Sequence, residues 1–363
     1  MASITPTGLP IPHTAKGRPR GLLVLALGAG SLLAQCSAAE GPGPATAEAG
    51  MAAYEKTCAL CHGKGGEGYA ADGATMLRNQ SFLATASDEF LRRSIARGRP
   101  QTTMSAWSKS RGGPYEDLQI DGLVAYMRTW QTVPSKTLSG SAIQGDLQRG
   151  AATYAANCAS CHGKTGLEGP SVRLANAEFL DIASDAFLEH AILEGRPGTP
   201  MMAYRGKLGD ADVRDVVALL RSWAKPVAPG EVPLPGSLGP IVANPSGPEP
   251  AFTLGQRFTP ADTIKKELDR GAAFGFLDAR PPSDYATSHI SGANNVPFYL
   301  GESYAFSLPK DRWLVSYCGC PHAESGALMD ALVKKGFSKV TILDEGFGVW
   351  RDRGYPVRSG SAP

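Results

Sequence analysis

Apolar positions along the chain follow a helical period in its first two thirds and a mixed period in its last third. Ile120, Leu123, Val124 and Met127 recur at three-and-four spacing, and Val213, Val216, Val217 and Leu220 do the same. Such spacing puts apolar side chains on one helical face, so each set predicts an amphipathic helix whose stripe is core. Further helices are expected over 87–97 and 184–194. Two stretches carry no period. Residues 37–48 are small and Pro/Gly-rich and read as a tether, and 226–250 hold eight prolines, too many for a helix or a central strand. Beyond them, Thr259-Pro260-Ala261-Asp262 has a capping residue, a first-turn proline and an acid at a helix start, which predicts a helix over 260–269. Short apolar runs at 274–278, 313–317 and 339–343, with a helix over 325–335, predict parallel strands joined by helices.

The helical part is duplicated. YEKTCALCHGKGG from Tyr54 returns as YAANCASCHGKTG from Tyr154, GRPQTTMSAW from Gly98 as GRPGTPMMAY from Gly195, and AYMRTW ending at Trp130 as ALLRSW ending at Trp223. The expected fold class is therefore multidomain: two all-α domains, 49–131 and 147–225, joined by a linker at 132–146, then an α/β domain with a parallel sheet at 251–358.

At 363 residues the chain suits two or three cores. Its 36 basic and 34 acidic residues leave a net charge of +2, which gives no reason to expect a nucleic-acid partner. Lys16, Arg18 and Arg20 precede an uncharged stretch from Gly21 to Ala34, the pattern of an export signal over 1–36. The stretch is too short to span a bilayer comfortably. Leu33-Ala34-Gln35-Cys36 resembles a bacterial lipobox, which would make Cys36 the lipidated residue and anchor the chain to a membrane. The competing expectation is a soluble periplasmic protein cut after Ala39. Both readings place the mature chain outside the cytoplasm.

Four of the seven cysteines lie in two CxxCH motifs, Cys58/Cys61/His62 and Cys158/Cys161/His162. Cysteines three apart on a helical turn face the same way and can each form a thioether with one vinyl group of a haem, and the next-residue histidine reaches the iron. Zinc ribbons place their CxxC pairs about 15–20 residues apart, whereas a whole domain separates these. A bare redox CxxC has no need of a following His-Gly-Lys. The motifs therefore predict two covalently bound haem c groups.

Each repeat resembles the small class I cytochrome c domain. In that family a methionine in a later loop is the sixth iron ligand, which points to Met104 and Met201. Met202 is adjacent, but aligning Ala106-Trp107 with Ala203-Tyr204 selects Met201. Met76 and Met127 read as core, and His190, whose counterpart is Arg93, as exposed helix surface. The family's histidine commonly donates to a carbonyl of a Gly-Pro turn. Gly169-Pro170 is the candidate in the second repeat, and the first repeat lacks one. The resemblance implies electron transfer to redox partner proteins of the envelope electron-transport chain.

FLDARPPSDYATSHISGANNVPF from Phe276 and ILDEGFGVWRDRGYPV near the end resemble the rhodanese family, with Asp278, Arg280, His289 and Gly292 as scaffold. That resemblance makes Cys318 the catalytic cysteine, carrying sulfur from a sulfane-sulfur donor as a persulfide, and leaves Cys320 as a candidate resolving thiol or, with His322, part of a metal site. Glu324 stands where the family often has a cation, so its negative charge should make thiosulfate a poor donor. Three readings remain open: a carrier with a sulfur-bearing domain, a sulfur-oxidising enzyme feeding the haems, and a carrier with an inactive docking module.

Overall fold

The computed structural model describes residues 45–69, 73–138, 140, 142–227, 237–319 and 322–363. The export signal, Cys36 and Cys320 lie outside them. Among the described residues no helix is long and apolar enough to cross a membrane.

The first repeat comprises α1 (Ala47–Thr57), α2 (Ala59–His62), α3 (Gln80–Thr85), α4 (Asp88–Arg97) and α5 (Asp117–Arg128). The second repeats the order as α6 (Leu147–Asn157), α7 (Ala159–His162), α8 (Ala177–Ile182), α9 (Asp185–Glu194) and α10 (Asp210–Ser222). Ser87 and Ser184 cap α4 and α9 by accepting the Phe90 and Phe187 N–H at 3.0 and 3.1 Å. Helix α1 packs across α5, and α6 across α10. All eight apolar residues of the two stripes are buried, as their spacing predicts. The two best-matched ends of the repeat meet in space. A Cβ at Gly66 would lie 2.6 Å from Trp130 Cζ3, and one at Gly166 2.7 Å from Trp223 Cζ3, so the loop after each CxxCH needs glycine where the tryptophan closes over it.

The third part holds β1 (Phe258–Thr259), α11 (Ala261–Asp269), β2 (Phe274–Asp278), α12 (Pro282–Thr287), β3 (His289–Ile290), β4 (Asn294–Asn295), α13 (Gly301–Tyr304), β5 (Trp313–Tyr317), α14 (Ala323–Lys334), β6 (Val340–Leu343), α15 (Gly346–Asp352) and β7 (Val357–Arg358). Five strands form a parallel sheet in the order β1-β6-β5-β2-β4. Both faces are covered, so β2, β5 and β6 are buried throughout. Thr259 differs from its expected role as a helix cap. It pairs with Leu343 in the sheet, its hydroxyl meets Thr341 Oγ1 at 2.8 Å, and Glu345 instead accepts the first N–H of α11, from Ala261, at 2.7 Å. Strand pairing satisfies the Thr259 backbone better than an isolated cap would.

Composition alone reads the proline-rich stretch as a spacer, but its described second half lies along the α/β part. Asn294 accepts the Gly239 N–H at 2.7 Å and donates to Pro240 O at 3.1 Å, and Pro248 O accepts from Ala273 at 2.8 Å. Proline lacks a donor yet keeps its carbonyl, and those carbonyls dock the segment.

Candidate functional site

Cys58 ends α1 and opens α2, and the hydrogen bond from His62 N to Cys58 O at 2.9 Å keeps the turn helical. Cys158 and His162 repeat this at 3.0 Å. Burial pushes the Cys58 and Cys158 thiols up to about 11. A reactive redox pair needs a depressed thiol pKa, so these cysteines are poorly suited to thiolate chemistry. Among the described residues, no group of three or more His, Cys, Asp or Glu side chains is gathered to hold a metal ion.

His62 Nδ1 lies 2.9 Å from Thr75 O, and His162 Nδ1 lies 2.8 Å from Val172 O. A carbonyl only accepts, so Nδ1 carries the proton and Nε2 presents its lone pair. Burial also holds both rings below their ordinary pKa, against the carbonyl bonds, which raise it. The neutral imidazole is the form that binds a metal. Two expectations change here. The acceptor in the second repeat is Val172, two residues past Pro170, and the first repeat has an equivalent acceptor without any Gly-Pro turn, because any carbonyl at the right height serves. Two thiols on one turn, an imidazole with fixed tautomer and a thioether on a later loop form a donor set that fits a covalently bound haem c.

Met104 and Met201 sit half-buried in matching loops, where Arg99 N and Arg196 N donate back to Met104 O and Met201 O at 2.7 and 2.8 Å. Met202 is 55% exposed, with Lys207 Nζ 3.4 Å from its sulfur. Met127 is core, whereas Met76 and His190 are half-buried. His190 is thus not the exposed residue its charged counterpart suggested.

The two repeats interlock reciprocally through residues the sequence did not single out. Asn79 caps α3 and donates Nδ2–H to Pro197 O at 2.7 Å, while Asn176 caps α8 and donates to Pro100 O at 2.9 Å. Arg99 lies over Phe179 of the second repeat, Arg196 donates to Ser81 Oγ of the first at 3.1 Å while lying over Phe187 of its own repeat, and burial lowers both guanidinium groups to about 10. Glu178, 3% exposed, accepts ion pairs from Arg97 and Arg111 at 3.4 and 3.2 Å. The Gly-Arg-Pro shared by both repeats was the available signal.

Cys318 follows β5 and is 1% exposed, with its sulfur 3.3 Å from Ser325 Oγ on α14. Its carbonyl accepts from Phe347 at 2.9 Å. Glu324 beside it is 7% exposed, and its carboxyl is pushed well above the usual range by burial and then by Cys318 and Asp284, with Arg280 opposing. Burial therefore favours the neutral acid there, against the negative charge expected from the sequence. His322 Nε2 lies 2.8 Å from Asp344 O, and its ring packs on Phe258. Asp278 and Arg280 form a buried pair at 2.5 Å, and His289 is held between Tyr285 O and Ala362 O at 2.8 and 3.0 Å, as expected of a scaffold.

The first repeat touches this domain directly. Ser105 donates to Asp284, Trp107 packs on Phe298 and Tyr299, and α14 lies against α2. A Cβ at Gly319 would lie 3.8 Å from Thr103 Cγ2.

Residues 45–127 and 145–220 match the family described as cytochrome c oxidase, cbb3-type, subunit III, and residues 260–353 match the rhodanese-like domain. Among relatives, the chain is 28% identical over 194 residues to a cbb3-type cytochrome c oxidase subunit CcoP of Azospirillum sp., covering 48% of this chain and 60% of that protein. It is 26% identical over 224 residues to a cytochrome bc1 complex cytochrome c subunit of Corynebacterium efficiens, covering 57% and 73%. It is 33% identical over 82 residues to the thiosulfate sulfurtransferase GlpE of Stutzerimonas stutzeri, covering 23% and 74%. The chain therefore spans only 60% of the length of the oxidase subunit it matches. It belongs to the rhodanese family through its C-terminal domain, and ahead of that domain it carries two cytochrome c segments of the cbb3 type.

Proposed function

We propose that this chain is a dihaem electron carrier of the cell envelope whose rhodanese-like domain carries sulfane sulfur on Cys318. The observation that carries the reading is the duplicated arrangement of paired thiols followed by a histidine whose Nδ1 is spent on a backbone carbonyl. Cys58 and Cys61 would hold one haem by thioethers and Cys158 and Cys161 the other, with His62 and Met104, and His162 and Met201, as axial ligands. When bound, each haem c supplies a one-electron iron couple, and a methionine ligand raises its potential. The chain's own contribution is orientation and shielding. The carbonyls of Thr75 and Val172 fix the imidazole rings, the Tyr54 and Tyr154 hydroxyls donate to Gly63 O and Gly163 O to pin the end of each CxxCH turn, and Trp130 and Trp223 cover the loop that follows.

In this reading the functional units are 49–131, 147–225 and 251–358, and Cys36 anchors the chain to a membrane facing the periplasm. Its partners are redox proteins of the envelope electron-transport chain and a sulfane-sulfur donor. Met104→Ala and Met201→Ala test the ligand assignment. Each should abolish the methionine–iron charge-transfer band of its own haem and lower that potential alone. A band and potential left unchanged would refute the assignment.

A further inference from the structure

Three features flank Cys318 that an ordinary sulfur relay does not require. The cysteine is 1% exposed, so a sulfur acceptor the size of a protein thiol cannot reach it without moving a domain. The loop bearing Met104 lies beside the Cys318 loop: a Cβ added at Gly319 would lie 3.8 Å from Cγ2 of Thr103, just before Met104, and Ser105, just after Met104, donates to Asp284. The Ser105 hydrogen bond and the Trp107 ring contacts, which join the rhodanese-like domain to the cytochrome half, both belong to the first repeat. A closed site cannot pass a sulfur group onward easily, but it can pass electrons.

We propose that Cys318 and the Met104 loop form one composite site at which hydrogen sulfide is oxidised onto Cys318 and the electrons leave through the first repeat. The inference rests on the reading that Cys318 carries sulfane sulfur and that both repeats hold haem. In the step, the Cys318 thiol and one molecule of hydrogen sulfide give the Cys318 persulfide, two protons and two electrons. One S–S bond forms and two S–H bonds break, one on each sulfur. Both sulfur atoms are oxidised, and the protons go to water. Two ferric c-type haems, one per repeat, are the oxidant and take one electron each. Substrate size and charge follow from the surroundings. Glu324 and Ser325, both buried, lie beside the sulfur, so small, neutral hydrogen sulfide would be desolvated there at little cost whereas dianionic thiosulfate would have to shed its hydration.

The test uses the full-length, fully oxidised holoprotein mixed anaerobically with sodium hydrosulfide. Haem absorbance is followed while the peptide containing Cys318 is weighed. Both haems should reduce as one sulfur atom appears on Cys318. Cys318→Ser should slow reduction by more than about tenfold and gain no sulfur there. Protein reduced beforehand should gain no sulfur from hydrosulfide yet still load from polysulfide. A variant lacking the first haem (Cys58→Ala with Cys61→Ala) should lose rapid reduction of the haem that remains, and one lacking the second (Cys158→Ala with Cys161→Ala) should still reduce its remaining haem but, with one electron accepted per chain, gain at most one sulfur for every two chains. Wild-type reduction rates in Cys318→Ser, or a persulfide formed from hydrosulfide in the pre-reduced protein, would overturn the proposal. Failure of polysulfide to load Cys318 in any redox state would instead remove the carrier reading beneath it.

Discussion

Glu324 offers the sharpest physical test of the surroundings of Cys318. Its carboxyl is 7% exposed and faces Cys318, Asp284, Arg280 and Asp278, and burial outweighs the Arg280 cation so that the folded pKa lies well above the ordinary value. In the unfolded chain the same carboxyl ionises near a pKa of about 4.3. Between these two values the folded protein binds the extra proton, so stability is lost as pH rises, by about 1.4 kcal/mol per unit. Glu324→Gln keeps the shape of the neutral acid and cannot ionise. The variant should match the wild type within about 1 kcal/mol near pH 5. As pH rises above the ordinary carboxylate range the variant should become progressively more stable than the wild type. Asp284 is raised in the same direction, by burial opposed by Arg280 and Ser105, but it is present in both proteins and largely cancels. Urea denaturation of the two proteins at several pH values, followed by circular dichroism, reads the difference. A stability gap that does not change with pH would mean that Glu324 titrates normally in the folded state, and the charge argument from the sequence would return.

Two further outcomes are expected. A Cβ at Gly50 would lie 1.9 Å from Gly122 O, where α1 crosses α5, so Gly50→Ala must push two backbones apart. Overpacking of about 1–3 kcal/mol, less about 1 kcal/mol of helix propensity, leaves a net loss. Gly122→Ala, whose nearest contact is Thr46 O at 3.2 Å, should be near neutral, and equal stability of the two variants in urea would refute the close crossing. Cys36→Ala should still be exported but no longer sediment with membranes, and unchanged membrane association would refute lipidation at that residue.

The parts legible in the sequence are those whose physics is local. Thioether attachment forces Cys58, Cys61 and His62 onto one turn, so spacing alone discloses them, and the duplicate at Cys158 removes the coincidence. The stripes Ile120–Met127 and Val213–Leu220 are readable because a helix repeats its face every three or four residues. What escapes depends on the fold bringing distant residues together. Ser105 meets Asp284 across 179 positions, and Trp107 meets Phe298 and Tyr299, with nothing in either segment to announce the pairing. Backbone carbonyls leave no trace in a sequence, so Thr75 and Val172 could not be named as the histidine acceptors. Glu324 is legible as a neighbour of Cys318, but the upward push on its carboxyl is not, since that follows from burial rather than residue type.

The central claim is that this chain carries two haems by covalent attachment. Intact-mass spectrometry of the denatured, acid-extracted holoprotein tests it most directly. The expected mass exceeds that of the processed polypeptide by two haem groups, and Cys58→Ala with Cys61→Ala removes one of them while the pair at Cys158 and Cys161 keeps the other. A wild-type mass with one haem or none, or haem that extracts freely into acid and solvent, would contradict the account.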